Sequence, residues 1–148
     1  MTKKTIVTAR GVLRRNEKIL FCYDRGGSLV FLPGGKVEQL EDLVSCLKRE
    51  FLEECNLDVE VGKFLGCLEC HWEDKDTQHQ EFAMIFHVYP KQELLSEQVD
   101  SLEPQIGFKF LSLDQALQKS KLLPAKVIEL LSNPSSVPNY IFENPLQV

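Results

Sequence analysis

The amino-acid sequence predicts a mixed α/β (α+β) fold in which a mixed β-sheet lies between helices. Most of the chain divides into short segments rich in β-branched and aromatic residues, and turn residues separate them. One amphipathic helical stretch occurs early in the chain, and only short helical segments follow near its end. A chain of 148 residues is long enough for one domain with a substantial apolar core.

Three strands are predicted before the early helix, over Thr5–Arg14, Lys18–Tyr23 and Leu29–Phe31. Polar turns that contain Asn, Asp or Gly separate these strands. The third strand ends before the glycine pair Gly34 and Gly35. A glycine backbone can adopt positive φ and approach a ligand closely, so this pair is a candidate binding loop.

The early helix is predicted from Leu40 to Cys55, because its apolar residues recur at helical spacing. Acidic residues near its start complement the positive end of the helix dipole. Asn56 follows the last helical residue, where a left-handed conformation commonly ends a helix.

The later elements are predicted in the same way. Strands are expected over Val59–Cys70, Gln80–Tyr89 and Ile106–Leu111, and helices over Leu113–Lys119 and from Pro124 to Leu131. The polar stretches His71–Gln78 and Pro90–Pro104 are predicted to be a hairpin loop and a long loop. Gly62 and Gly66 indicate bulges or bends within their strand.

Domain organisation follows from these elements. Residues 1–132 are predicted to form one domain, and a linker rich in proline and serine begins the tail over residues 133–148. Aromatic residues in this tail predict that it docks on the domain or on a second subunit. The expected state is therefore a monomer or a homodimer.

Composition limits the partners and the compartment. A net charge of −5 disfavours a nucleic-acid polymer, whereas a small phosphorylated substrate remains compatible if divalent ions screen its charge. No apolar run has membrane-spanning length, and the first residues lack the apolar region of a signal peptide. We therefore expect a cytoplasmic protein without a membrane partner, whose five cysteines are reduced thiols.

Three carboxylates lie close together in the C-terminal half of the early helix. Glu50, Glu53 and Glu54 are spaced i, i+3 and i+4 and are neighbours on its surface. On a helical wheel Glu54 falls within the apolar stripe, Glu50 borders it and Glu53 stands just outside. A solvated acidic face is the alternative interpretation, and it suits Glu38 and Asp42 but not Glu54. Because a carboxylate that faces the interior needs compensation, we favour a site for a hard cation such as Mg²⁺.

This stretch resembles the Nudix (MutT-like) hydrolase signature, G-x5-E-x7-R-E-U-x-E-E-x-G-U, in which U is a bulky aliphatic residue. The matching positions are Gly35, Glu41, Arg49, Glu50, Phe51, Glu53, Glu54 and Leu57. Phe51 is aromatic where an aliphatic residue is usual, and Asn56 replaces the final glycine. The resemblance covers about residues 4–131 and implies an α/β/α sandwich.

The resemblance implies a pyrophosphohydrolase that uses Mg²⁺, or Mn²⁺ in its place, on a nucleoside diphosphate linked to another moiety. Glu50, Glu53 and Glu54 would be the metal ligands, joined by the Gly35 carbonyl. Arg49 and Glu41 would orient the carboxylates, Glu41 as structural support. Bound metal would neutralise phosphate charge and activate the attacking water.

Other site residues are hypotheses. Glu53 is the first choice for the general base, and Glu103, in the loop before the last strand, is the candidate from outside the helix. The alternative for Glu103 is an ordinary solvated acid. Arg10 is a candidate phosphate ligand because arginine suits bidentate contact, and Gly34 is a second substrate-binding candidate. Solvation at the surface is the alternative for Arg10.

The substrate is predicted only by exclusion, because sequence marks of several family subgroups are missing. The default is a nucleoside triphosphate or modified nucleotide, cleaved to the monophosphate and pyrophosphate. A nucleotide sugar or another nucleotide derivative is the alternative substrate. A non-catalytic nucleotide sensor and a protein-interaction module are the alternative functions. Trp72 and Tyr23 are candidates for stacking on a base.

Overall fold

The structure is a computed structural model that describes residues 1–26, 29–119, 121–122, 124–132 and 137–144. This part of the chain forms nine strands and three helices. The strands are β1 (Thr2–Arg15), β2 (Lys18–Asp24), β3 (Leu29–Phe31), β4 (Gly34–Lys36), β5 (Val59–Asp74), β6 (Thr77–Pro90), β7 (Ile106–Leu111), β8 (Lys121–Leu122) and β9 (Asn139–Glu143). The helices are α1 (Leu43–Cys55), α2 (Leu113–Lys119) and α3 (Val127–Ser132).

The strands form one mixed sheet in the order β8-β3-β2-β1-β6-β5-β9, while β4 pairs with β1 and β7 pairs with β2. Three pairings are parallel, β1 with β6, β3 with β8 and β5 with β9, and the others are antiparallel. The predicted class, a mixed sheet with few helices, is confirmed.

Alternation along β1 separates the two cores, because successive side chains of a strand point to opposite faces. Ala9 and Leu13 pack in the core that contains Leu47 and Phe51 of α1. Val12 packs in the other core, which contains buried residues of α2 and α3. Helices therefore cover both faces of the sheet, and the sheet separates α1 from α3.

The predicted start of the early helix is wrong. Leu40 is fully exposed and has a φ of +63°, and α1 begins at Leu43. Asp42 is the N-cap, and its carboxylate accepts hydrogen bonds from the backbone N and the Oγ of Ser45, both at 2.8 Å. This cap excludes Leu40 from the helix and from the apolar stripe. The predicted helix end is confirmed, because Asn56 has a left-handed φ of 54°.

The hairpin loop predicted over His71–Gln78 is also wrong. β5 continues to Asp74 and β6 begins at Thr77, so only a tight turn separates them. The polar residues here are paired across two strands, as Trp72 is with His79. Alternating polar residues at the end of a hairpin satisfy the backbone ladder as well as apolar ones do, and polarity alone therefore misassigned them.

Smaller differences occur elsewhere. α3 begins at Val127 rather than at Pro124, because residues 124–126 form a turn closed by the Val127 N–H and the Pro124 carbonyl. The short strands β4 and β8 were not expected. β5 shifts register twice between Val61 and Gly66, as its glycines predicted.

The tail contributes β9, which pairs with β5 of the same chain. The linker at 133–136 and the last four residues lie outside the described residues, as do residues 27 and 28 of the predicted turn. The five cysteines carry free thiols. None of the described helices is both long and apolar enough to cross a membrane.

Candidate active site

The carboxylates of α1 lie in its last two turns. Asn56 ends the helix, and the last turn contains no basic residue, so the negative end of the helix dipole adds to the acidic charge there. Glu50 is 13% exposed and Glu53 is 54% exposed. Glu54 is partly buried, as expected from its position in the apolar stripe. The helix therefore holds two of its three carboxylates away from bulk water.

Glu50 and Glu54 are in hydrogen-bond contact. The pKa of Glu54 is raised to about 8, first by burial and then by the hydrogen bond and the negative charge of Glu50. Arg10 lowers this pKa through its positive charge, and Glu103 raises it. The raised pKa means that Glu54 keeps its proton to a higher pH, which offsets the repulsion between two carboxylates.

Arg49 connects the remaining acids. Its Nε and Nη2 donate hydrogen bonds to the two carboxylate oxygens of Glu41, at 2.6 and 2.8 Å. Its Nη1 donates to Glu50 and to Glu53, both at 3.1 Å. These hydrogen bonds lower the pKa of Glu41 to about 2 and raise the pKa of Arg49. The guanidinium therefore positions three carboxylates at once, as a planar fork of donors permits.

The glycine pair fits against the helix and the sheet. Gly34 has a φ of +138°, and a Cβ there would overlap the carbonyl oxygen of Ala9. A Cβ on Gly35 would lie 2.5 and 2.6 Å from the two carboxylate oxygens of Glu50. The absence of a side chain on Gly35 thus lets its backbone approach the Glu50 carboxylate closely, and the predicted approach of this backbone to a ligand stays a prediction.

Substitution of Gly35 by alanine is expected to lower hydrolytic activity by about 100-fold while the fold is retained. The new Cβ collides with the Glu50 carboxylate, which is the movable end of a side chain, and displaces it from its position. Steady-state kinetics and the Tm measure the two effects. Gly62→Ala is the control, because it crowds the ring of Tyr89 instead. Full activity of Gly35→Ala would show that the position of Glu50 is not critical.

The loop before β7 brings Glu103 to the same end of α1. The backbone N–H of Leu102 donates to the Glu54 carbonyl at 2.7 Å, which docks the loop on the helix. The negative charge of Glu103 contributes to the raised pKa of Glu54. The Glu103 carboxylate accepts a hydrogen bond from Gln105 at 2.8 Å. The structure therefore places both candidate bases, Glu53 and Glu103, near Glu54.

Arg10 lies between these carboxylates and a large cavity. Its Nη1 donates to the Leu32 carbonyl at 3.3 Å, and its guanidinium lies 6.0 Å from the centre of the Phe31 ring. The side chain lines the cavity, and its charge acts on Glu54. A ligand in the cavity that contacts Arg10 would therefore lie close to Glu54 as well.

The cavity has a volume of about 900 Å³, within the range of about 300–1,000 Å³ common for small-molecule sites. It lies on the face of the sheet opposite α1, because its apolar walls include Leu68, Ile85 and Val127 of the second core. Trp72, a predicted stacking candidate, lines it together with Glu81, which the sequence analysis missed. One signal was available: Glu81 shares a strand face with Ile85, where an acidic side chain is unexpected.

The carboxylates of Glu50, Glu53 and Glu54 are suitable ligands for a hard divalent cation, but their oxygens do not point to one common position. No group of three or more Asp, Glu, His or Cys side chains in the described residues is arranged to hold a metal ion. Arg49 holds the Glu53 carboxylate, while Glu50 and Glu54 contact each other. All three offer carboxylate oxygens, which Mg²⁺ and Mn²⁺ prefer. A cation would replace the proton of Glu54 and relieve the repulsion between the carboxylates.

The metal-free protein is expected to lose stability as the pH rises from about 4.5 to about 8. The pKa of Glu54 is raised from its ordinary value of 4.5 to about 8 in the folded state. Stabilisation from the bound proton is full below the unfolded pKa and is lost as the pH rises through the folded one. In EDTA, the drop in Tm between pH 5 and pH 8.5 should be smaller in Glu54→Gln by about 3 °C or more. An equal drop in both proteins would contradict the raised pKa.

Comparison with known proteins agrees with the geometry. The NUDIX domain profile matches residues 5–131. Among solved structures, the ORF135 protein of E. coli is 25% identical with a TM-score of 0.60, covering 86% of this chain and 87% of that one. A MutT protein from Methanosarcina mazei is 22% identical with a TM-score of 0.67, covering 89% and 94%.

A third structure, an ADP-ribose pyrophosphatase from Streptococcus suis, is 18% identical with a TM-score of 0.60 and covers 93% of this chain and 98% of that one. At this identity the similarity establishes the fold alone. No curated protein matches the sequence significantly. Because the domain profile covers most of the chain, and because the predicted signature lies within it, the protein belongs to the Nudix hydrolase family.

Proposed function

We propose that the protein hydrolyses a phosphoanhydride bond in a nucleoside diphosphate derivative with Mg²⁺ or Mn²⁺ as cofactor. The default substrate is a nucleoside triphosphate or modified nucleotide, which gives the monophosphate and pyrophosphate. The observation that carries the proposal is that the Arg10 charge acts on Glu54, which contacts Glu50, while the Arg10 side chain also lines the cavity of about 900 Å³. Arg10, which can bind a phosphate, therefore connects the acidic groups that can hold a metal ion with the cavity that can hold a nucleoside.

The acidic residues have different roles in this proposal. Glu50, Glu53 and Glu54 would hold the metal, and the Gly35 carbonyl adjoins them. When bound, the metal neutralises phosphate charge and makes a water molecule more acidic. Arg49 would act through Glu41, Glu50 and Glu53, to which it donates hydrogen bonds, and would thus be a positioning residue.

Arg10 and the glycine pair would receive the phosphates. The Arg10 guanidinium can donate two parallel hydrogen bonds to a phosphate, and its place at the cavity edge aligns the phosphates with the acidic cluster. The backbone of Gly34 has no side chain that blocks this approach. The expected consequence is that Arg10→Ala raises KM more than it lowers kcat.

Proton removal from the attacking water is assigned first to Glu53, with Glu103 as the alternative. Glu53 is the most exposed carboxylate of the helix cluster, so a water can reach it. Glu103 adjoins Glu54 from the loop side. A Glu103→Gln variant that keeps nearly full rate, beside an inactive Glu53→Gln variant, would exclude the loop residue.

A Mg²⁺-dependent hydrolysis screen tests the proposed function. It compares nucleoside triphosphates, nucleotide sugars, dinucleoside polyphosphates and nucleotide cofactors, with Glu53→Gln as the inactive control. Turnover of a nucleoside triphosphate supports the default substrate, and turnover of another class alone replaces it. Absence of turnover of every compound, although the metal binds, would favour the nucleotide-sensor alternative.

A further inference from the structure

The cavity is lined by a carboxylate that does not belong to the acidic cluster of α1. Glu81 lies on β6 and lines the cavity on the face of the sheet opposite α1. Arg10 lines the same cavity, and its register partner on β6 is Ile85, four residues from Glu81. At about 3.3 Å per residue this separation is about 13 Å. It is comparable to the reach from the phosphate to the base of a nucleotide.

The Glu81 carboxylate is fixed by two donors. Thr8, which is 2% exposed, donates from its Oγ1 to Oε2 at 3.1 Å. Trp72 donates from its Nε1 to Oε1 at 3.3 Å. In the described part of the chain Glu81 has no ion-pair partner. Each carboxylate oxygen accepts two hydrogen bonds, so one acceptor position remains on each oxygen.

The donor on the second side is itself held in place. The ring of Trp72 stacks on His79 with centroids 3.8 Å apart and planes 16° apart. Thr8 and Trp72 therefore restrict Glu81 from two sides, and the carboxylate does not need to be ordered when a ligand binds. Such preorganisation favours one pattern of partners over others.

We propose that Glu81 determines base specificity by accepting two adjacent N–H donors of the nucleobase. This inference rests on the proposed function, because it takes the cavity to be the nucleoside site. Among the common bases, only guanine has a ring N–H beside an exocyclic amino group. Adenine and cytosine place a ring acceptor beside the amino group, and this acceptor would face a carboxylate lone pair. Uracil and thymine offer one N–H between two carbonyls.

The remaining walls fit the same ligand. Leu29, Phe31 and Trp72, which are partly exposed, provide apolar surface for the faces of a base. Glu81 is partly buried, so a base that places an acceptor against its remaining lone pairs is bound less well than one that donates to them. The selectivity therefore arises from Glu81, while the apolar walls contribute affinity to every base.

The test measures nucleotide binding without metal, so it does not depend on hydrolysis. Isothermal titration with GMP, IMP, AMP and CMP is compared for the wild type, Glu81→Gln and the surface control Glu60→Gln. We expect the wild type and the control to bind GMP about 10-fold more tightly than AMP or CMP. In Glu81→Gln, which has one acceptor and one donor, this preference should fall below about 3-fold. Equal binding of all four by the wild type, or an unchanged preference in Glu81→Gln, would overturn the proposal.

A second comparison needs no variant. IMP lacks the amino group of GMP but keeps the ring N–H, so the wild type should bind it about 10-fold more weakly. Equal affinity for IMP and GMP would overturn the bidentate contact, even if Glu81→Gln does not fold. Guanine selectivity without turnover of any nucleotide would refute the proposed hydrolysis alone, and turnover without base preference would refute the role of Glu81 alone.

Discussion

Replacement of Glu54 by glutamine is expected to lower the kcat/KM of Mg²⁺-dependent hydrolysis by about 1,000-fold or more, which corresponds to about 4 kcal/mol of transition-state stabilisation. Glutamine keeps the size of the side chain but removes the charge beside Glu50. In metal-free protein at pH 8.5 the same change should raise the Tm, because it removes the repulsion between two carboxylates. Steady-state kinetics measure the expected loss of kcat/KM, and thermal denaturation in EDTA measures the expected rise in Tm.

Glu93→Gln is the matched control, because Glu93 is an exposed residue of the long loop after β6. It should leave both the rate and the Tm unchanged. Lost activity together with gained stability identifies a residue whose charge lowers the stability of the fold but is required for activity. If Glu54→Gln lost both activity and stability, Glu54 would be a structural residue instead.

Replacement of Arg49 by lysine is expected to lower kcat by about 10- to 100-fold and to weaken Mg²⁺ binding by a similar factor. Lysine keeps the charge but cannot donate to both oxygens of Glu41 while it also holds Glu50 and Glu53. The carboxylates would then lose their fixed orientation. Kinetics at saturating and limiting Mg²⁺ distinguish the two effects.

Arg15→Lys is the control for this exchange, because Arg15 pairs with Glu97 at 3.9 Å, away from the acidic cluster. It should leave the kinetics unchanged. A positioning role predicts that excess Mg²⁺ partly restores the rate of Arg49→Lys. A loss of rate that no concentration of Mg²⁺ changes would indicate that Arg49 contacts the substrate itself.

The acidic cluster could be predicted from the sequence because its spacing is local. Residues three and four apart on a helix are neighbours whatever the rest of the fold does, and Glu54 falls in the apolar stripe of its own helix. The contacts of Gly35 with Glu50, and of Arg49 with Glu41, correspond to matched positions of the family signature. The proximity of these side chains was therefore predictable, whereas their role as metal ligands stays a prediction.

The cavity could not be predicted in the same way, because distant segments assemble it. Thr8 lies 73 residues from Glu81, and only the parallel pairing of β1 with β6 brings them together. The end of the β5–β6 hairpin was misassigned as a loop because most of its residues are polar. This stretch includes Trp72, which lines the cavity. Leu40 was misassigned because the cap at Asp42 overrides apolar periodicity. Long-range pairing and capping therefore limit what periodicity can predict.

The most direct test of the account is whether Glu50, Glu53 and Glu54 hold a divalent cation. Mn²⁺ is a suitable probe for this test, because electron paramagnetic resonance distinguishes free from bound Mn²⁺ without any substrate. We expect the wild type and Glu93→Gln to bind Mn²⁺. We also expect Mg²⁺ to compete with Mn²⁺ for the same site. The triple variant Glu50→Gln, Glu53→Gln, Glu54→Gln should remain folded and bind none at this site. Undiminished Mn²⁺ binding by the folded triple variant would contradict the account.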